Sequence, residues 1–106
     1  MKLPIAIHQK AQSDIVKILK WLRKRSISGS QRWFVALNLA IEWVSDNPHS
    51  PPFASEPLLA QLKVREKLFK TRMGRTYGML YTIEHEGVLI LRIRGPRQRP
   101  INRPIL

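Results

Sequence analysis

The 106-residue sequence contains no cysteine. This absence excludes disulfides, thiolate nucleophiles and cysteine-ligated zinc. The three histidines, His8, His49 and His85, are isolated in sequence, so no metal-ligand spacing is visible and we expect surface or capping roles for them. The five glycines are single residues rather than a phosphate-binding loop. The sequence therefore predicts neither a metal nor a nucleotide cofactor.

Long apolar runs are also lacking. No stretch approaches the roughly 20 apolar residues that a membrane span needs. The first ten residues, MKLPIAIHQK, contain too few consecutive apolar residues to form the core of a signal peptide. With 43% hydrophobic residues, the chain has enough apolar material for one packed core. We expect a single domain over residues 1–106 in a soluble, cytoplasmic protein without membrane contact.

Acidic residues are scarce: seven Asp and Glu face 19 Lys and Arg, giving a formal net charge of +12. No acid follows Glu86, although the last fifteen residues hold five arginines. Such an imbalance favours an anionic partner, whether nucleic acid or an acidic protein. Isolated strand cations are often merely solvated, but a set of five without a nearby acid indicates a binding surface.

Hydrophobic spacing predicts two helices followed by three strands. Apolar residues recur at helical spacing over Gln9–Arg25, and again between Ser30 and the Asp46-Asn47-Pro48 stop. Gly29 is expected to end the first helix in a left-handed conformation, with Ser30 capping the second. A weaker strand, expected at an edge of the sheet, precedes the helices at Lys2–Ile7. The three strands after the helices are expected at Val64–Lys70, Arg75–Ile83 and Val88–Arg94.

The expected fold is therefore α+β, with a helical hairpin packed on a curved antiparallel sheet in the order β-α-α-β-β-β. Side chains alternate between the two faces of a strand. Leu89, Leu91 and Ile93 form one face of the last strand, and the bulky face of the strand before it consists of Tyr77, Met79, Tyr81 and Ile83. Both sets are expected to meet the helices. The tryptophans and tyrosines are expected to pack in the core. The other, partly open face should carry Arg92 and Arg94, whereas alternation leaves open whether Lys63, Arg65 and Lys67 share it. The cations expected to bind nucleic acid or another target are listed here: Lys63, Arg65, Lys67, Arg75, Arg92, Arg94, Arg99 and Arg103.

The order and spacing of several segments resemble the RelE/ParE superfamily, the small toxins of bacterial type II toxin–antitoxin operons often labelled plasmid stabilisation proteins. The resemblance spans nearly the whole chain. It rests on Ala11–Ile15, Trp33–Leu37, Ala40-Ile41, Pro48, Arg75–Tyr81 and Val88–Gln98. It implies a toxin that a cognate antitoxin binds and neutralises. Ribonuclease members of the superfamily cut mRNA on the ribosome, whereas ParE-like members poison DNA gyrase.

Two departures from the ribonuclease pattern favour the ParE-like branch. The penultimate strand has Tyr77-Gly78 where ribonuclease members carry a Tyr-Arg pair, and Gly95 stands where many relatives have a histidine. Arg97 does match the tail arginine of the ribonuclease group, so it is the one candidate catalytic residue, but no general base accompanies it. The alternatives are a RelE-like ribosome-dependent endoribonuclease and a non-toxic nucleic-acid-binding module of the same fold.

Overall fold

The computed structural model describes residues 2–96. The elements in chain order are β1 (Ile5–Ile7), α1 (Gln9–Arg23), α2 (Ile27–Asp46), α3 (Pro57–Gln61), β2 (Arg65–Phe69), β3 (Tyr77–Glu84) and β4 (Gly87–Arg94). The predicted α+β class and the order β-α-α-β-β-β are confirmed, with the five-residue α3 as an addition. Within the described range, none of the helices combines the length and the apolarity that a bilayer crossing requires.

The two long helices form a hairpin whose connection is set by Ser26. The Ser26 hydroxyl accepts a hydrogen bond from the Gly29 backbone N–H at 2.9 Å, which caps the first turn of α2. The helix therefore begins at Ile27, and Gly29 lies inside it. The prediction that Gly29 ends α1 in a left-handed conformation was wrong, because no described glycine has a positive φ angle. At the start of α1, His8 accepts from the Lys10 N–H and fulfils its predicted capping role.

The sheet has the strand order β1-β4-β3-β2. The two hairpins β2–β3 and β3–β4 are antiparallel, as predicted. β1 lies at the edge, also as predicted, but it pairs with β4 in parallel, so the sheet is mixed rather than antiparallel. His85 and Glu86 form the β3–β4 turn with φ angles of 49° and 61°, values typical of the type I′ turns whose twist suits a two-residue hairpin.

An irregularity in β4 divides its side chains between the faces of the sheet. Leu80 pairs with Arg92 but Tyr81 pairs with Ile90, so Leu91 is an extra residue opposite β3. Before this bulge Val88 and Ile90 face the helices, and after it Ile93 does. The predicted grouping of Leu89, Leu91 and Ile93 was therefore wrong, because simple alternation does not survive a bulge. The matching prediction for β3 was right: Tyr77, Met79 and Tyr81 pack under the helices.

Both faces of the sheet are covered. The larger core lies between the helical hairpin and the sheet and contains Trp33, Leu37 and Val44 from α2. A second, smaller cluster lies on the opposite face, where the segment 54–64 returns along the sheet. Its buried members are Ala54, Leu59, Val64, Leu80 and Leu91. The expected open face of the sheet is therefore largely occupied by the chain itself.

Candidate functional site

The candidate catalytic residue Arg97 and the tail arginines Arg99 and Arg103 lie outside the described residues. Their predicted roles stay predictions. The remaining predicted cations do not share one surface in the structure: Lys63, Arg65, Lys67, Arg75, Arg92 and Arg94.

Arg94 lies between two carboxylates on the face opposite the helices. Its Nη1 and Nη2 donate to the two oxygens of Glu56, and its Nε and Nη2 donate to Glu66 at 3.0 and 3.1 Å. The three side chains are only 13%, 10% and 19% exposed for Arg94, Glu56 and Glu66. The hydrogen bonds to Glu56, and to a smaller extent those to Glu66, raise the pKa of Arg94 above its ordinary value. The prediction that Arg94 lies on an open cationic face was wrong.

Gly78, the position that departs from the ribonuclease pattern, lies directly across the sheet from Arg94. A Cβ atom built on Gly78 would overlap the Oε2 atom of Glu66 and lie 3.0 Å from its carboxyl carbon. The space that a side chain at residue 78 needs is therefore filled by the carboxylate that holds Arg94. An arginine at this position is incompatible with the present packing of Glu66.

Arg92 is held at the edge of β4. Because β1 pairs only with residues 88–90, the Ile93 N–H has no strand partner and donates to Asp14 Oδ2 at 3.0 Å. The same carboxylate accepts from Arg92 Nε at 2.8 Å and from its Nη2 at 3.1 Å, and these hydrogen bonds raise the pKa of Arg92. Asp14 thus pairs with a backbone N–H at the sheet edge and neutralises the Arg92 guanidinium. The prediction that Arg92 lies on an open cationic face was wrong.

Lys63, Arg65 and Lys67 do not form a joint basic surface with Arg94. Arg65 and Lys67 belong to the helix-facing set of β2, the assignment that alternation alone leaves open. Arg65 donates to the carbonyls of residues 49 and 51, and Lys67 Nζ lies 4.0 Å from the ring centroid of Trp43. Lys63 is exposed in the connection before β2, with a φ angle of 58°.

Arg75 borders a wide cleft between the helical hairpin and the β2–β3 loop. The cleft has a volume of about 940 Å³, within the usual size range of small-molecule sites. Its apolar walls come from α1, from α2 and from the start of β3. They include Ile18, Trp21, Leu22, Trp33 and Tyr77.

The tryptophans divide between the core and the surface. Trp33 is buried beneath the cleft, with its ring centroid 5.4 Å from that of Tyr77. The predicted core packing is thus confirmed for Trp33. It was wrong for Trp21 and Trp43, which are 52% and 39% exposed and lie under the cations of Arg25 and Lys67.

The rim of the cleft is cationic. Among the described residues, five basic residues border it and no acidic residue does: Lys17, Arg25, Arg32, Arg72 and Arg75. Sequence reasoning found only the last of them, because the others lie in α1, in the interhelical turn, in α2 and in the β2–β3 loop, far apart in the chain. The available signal was the clustering of cations beside the predicted interhelical turn and beside the turn before β3.

The described residues offer little for metal binding or for acid–base chemistry. Between Lys2 and Pro96, no three histidine or carboxylate side chains are grouped as a metal site. Burial raises the pKa of Tyr77, while the charge of Arg75 opposes this rise. A phenol that is harder to ionise is a poor general base near neutral pH.

The hairpin packed on a four-stranded sheet, together with an apolar cleft bordered by cations, defines a small basic α+β protein. Residues 5–100 match the family model described as the ParE toxin of the type II toxin–antitoxin system ParDE. The chain belongs to this family, which confirms the resemblance to the RelE/ParE superfamily. A search of curated proteins finds no match.

Proposed function

We propose that this toxin acts on DNA gyrase in the bacterial cytoplasm and that a cognate antitoxin neutralises it. Membership of the ParE toxin family supports a type II toxin. The observation that favours gyrase over mRNA is the arrangement around Gly78, where Glu66 occupies the space of the ribonuclease arginine and also neutralises Arg94.

Cleavage of RNA by its own 2′-hydroxyl requires positive charge near the phosphoryl group and a proton acceptor for the hydroxyl. Within residues 2–96, the guanidinium of Arg94 at the centre of this sheet face is bound by two carboxylates. A guanidinium engaged in this way is not available to stabilise a phosphorane-like transition state. A toxin that acts by binding a protein target does not need this chemistry.

A supercoiling assay tests the proposal. Purified protein, added in excess to gyrase, ATP and relaxed plasmid, should abolish supercoiling and leave DNA in a gyrase-linked cleaved form. The double variant Arg72→Gln/Arg75→Gln tests whether two cations that border the cleft are needed for this effect. The control variant Lys20→Gln/Arg23→Gln removes the same charge from α1 positions that do not border the cleft. Unchanged supercoiling and no cleaved complex with excess folded protein would refute gyrase targeting.

The ribonuclease alternative is tested on programmed ribosomes. It predicts mRNA cuts at the A site that Arg97→Ala abolishes, whereas the gyrase proposal predicts intact message. Induced expression with and without the neighbouring gene tests toxicity and neutralisation together. Rescue of growth by that gene is expected. Normal growth under induction would favour the non-toxic nucleic-acid-binding module, whose affinity should then fall steeply with salt.

A further inference from the structure

The cleft between α1, α2 and the β2–β3 loop has the composition of a ligand site. Its volume of about 940 Å³ is bounded mainly by apolar side chains, and small-molecule sites are typically concave, mostly apolar and of this size. Trp33 and Tyr77 belong to the packed core beneath it, so this part of the cleft rests on rigid elements. The concavity is therefore a feature of the folded framework.

The charge around the cleft favours a negatively charged ligand. The five rim cations have no acidic partner among the described residues, whereas the arginines of β4 are both paired with carboxylates. Arg25 lies over the Trp21 ring, with its guanidinium carbon 4.2 Å from the ring centroid. A cation held in this way stays beside the apolar wall. The cleft thus combines an apolar interior with an uncompensated positive rim.

Trp33 provides a second and independent indication. Its side chain borders the cleft, the residue is 2% exposed, and its indole Nε1 is buried without a hydrogen-bond acceptor in residues 2–96. Buried N–H donors without a partner are rare because the loss of hydration is not offset. An acceptor atom supplied by a bound molecule would satisfy this donor.

We propose that the cleft binds a small amphiphilic anion: an aromatic or medium-length aliphatic body that carries a carboxylate or sulfonate. The apolar body contacts the tryptophan-lined interior, and the anionic group meets the cationic rim or the Trp33 N–H. This proposal does not depend on gyrase as the target.

The dye 8-anilino-1-naphthalenesulfonate tests the proposal against its uncharged counterpart, N-phenyl-1-naphthylamine, on the full chain without antitoxin. We expect saturable binding of one sulfonated dye per chain, at least about tenfold tighter than the uncharged dye, because the sulfonate interacts with several cations. Decanoate should displace it. Arg32→Gln/Arg75→Gln should weaken binding by about tenfold, whereas the control Lys20→Gln/Arg23→Gln should change it much less.

The indole N–H signals locate the bound molecule. The chain has three tryptophans, and the exposed Trp21→Phe and Trp43→Phe variants assign two signals, which leaves the third for Trp33. We expect decanoate to shift the Trp33 signal downfield and to leave that of Trp43, which does not border the cleft, unchanged.

Several results would overturn the proposal. These are absence of saturable binding, equal affinity for the two dyes, an equal loss in the control variant, or a shift confined to Trp43. Dye binding that falls as the protein concentration rises would show that a second copy covers the cleft, and it would also overturn the proposal.

Discussion

Replacing Arg94 by methionine removes the guanidinium that lies between Glu56 and Glu66. Methionine retains much of the apolar stem but none of the five N–H donors. In the native protein these donors make four hydrogen bonds to the two carboxylates. The variant therefore leaves two negative charges close together and poorly hydrated, while the surrounding packing changes little.

The expected loss follows from burial. Removing one partner of a buried ion pair typically destabilises a protein by about 3–5 kcal/mol, because an uncompensated charge remains. The exposures of 10% for Glu56 and 19% for Glu66 place this cluster near that regime but not fully inside it. We expect a loss of about 3 kcal/mol, a large part of the roughly 5–15 kcal/mol that stabilises a typical domain.

Urea unfolding, followed by tryptophan fluorescence, measures this loss. A loss of about 3 kcal/mol would also lower Tm by roughly 12–24 °C in a domain of this size. The triple variant Arg94→Met/Glu56→Gln/Glu66→Gln removes the charges that remain, and we expect it to recover most of the lost stability. Lys2→Met, which breaks the exposed contacts of Lys2 with Glu42 and Asp46, serves as the surface control and should change stability little.

Two outcomes would refute this reasoning. A loss below about 1 kcal/mol in Arg94→Met would mean that the cluster behaves as a surface ion pair. Equal stability of the single and triple variants would mean that lost packing, rather than the loss of the Arg94 charge, destabilises the protein.

Three further predictions concern local features. Burial raises the pKa of Tyr81 to about 12 and raises that of Tyr77 above 10.0; because folding favours the neutral phenols, this stabilisation is complete below pH 10 and is lost as the pH rises through about 12. Absorbance of tyrosinate should show that Tyr81 does not ionise near pH 10 in the folded protein and does so in denaturant; ionisation of native Tyr81 at pH 10 would contradict this. Asp14→Ala leaves the Ile93 N–H and a partly buried guanidinium without their acceptor, and we expect a loss of about 1–3 kcal/mol in urea unfolding; unchanged stability would show that water replaces the carboxylate. Glu86→Gly should stabilise the β3–β4 turn by up to about 1 kcal/mol, because glycine adopts the φ of 61° without strain; a lower urea midpoint would refute this.

Local sequence patterns were sufficient for most of the fold. Helical spacing identified α1 and α2 to within a few residues, and turn residues identified the hairpins of β2, β3 and β4. These signals act over a few residues, so they are visible in a sequence. The parallel pairing of β1 with β4 was missed, because it joins residues 5–7 to residues 88–90 and no local pattern specifies a partner so distant.

The candidate site was harder to predict, because charge pairing is a property of the folded chain. Arg94 was predicted to be exposed on the basis of strand alternation, yet its partners come from a proline-rich connection and from β2, 38 and 28 residues away. The bulge at Leu91 changes the alternation within β4 itself. The extended sequence VLILRIR contains no signal for this bulge, since it depends on pairing with β3.

The distribution of the seven acidic residues leaves the described cleft cations without carboxylate partners. Asp14, Glu56 and Glu66 are bound to the β4 arginines, and Glu42 and Asp46 lie near Lys2. The other two, Glu84 and Glu86, lie at the turn where β3 ends. Tyr77, at the opposite end of β3, borders the cleft, and seven residue steps along a strand separate the two ends by roughly 23 Å. That distance exceeds the Debye length of about 8 Å at physiological ionic strength, so these carboxylates barely screen the cleft cations. Charge changes among the cleft cations should therefore alter association with an acidic partner more than equal changes at the β3–β4 turn.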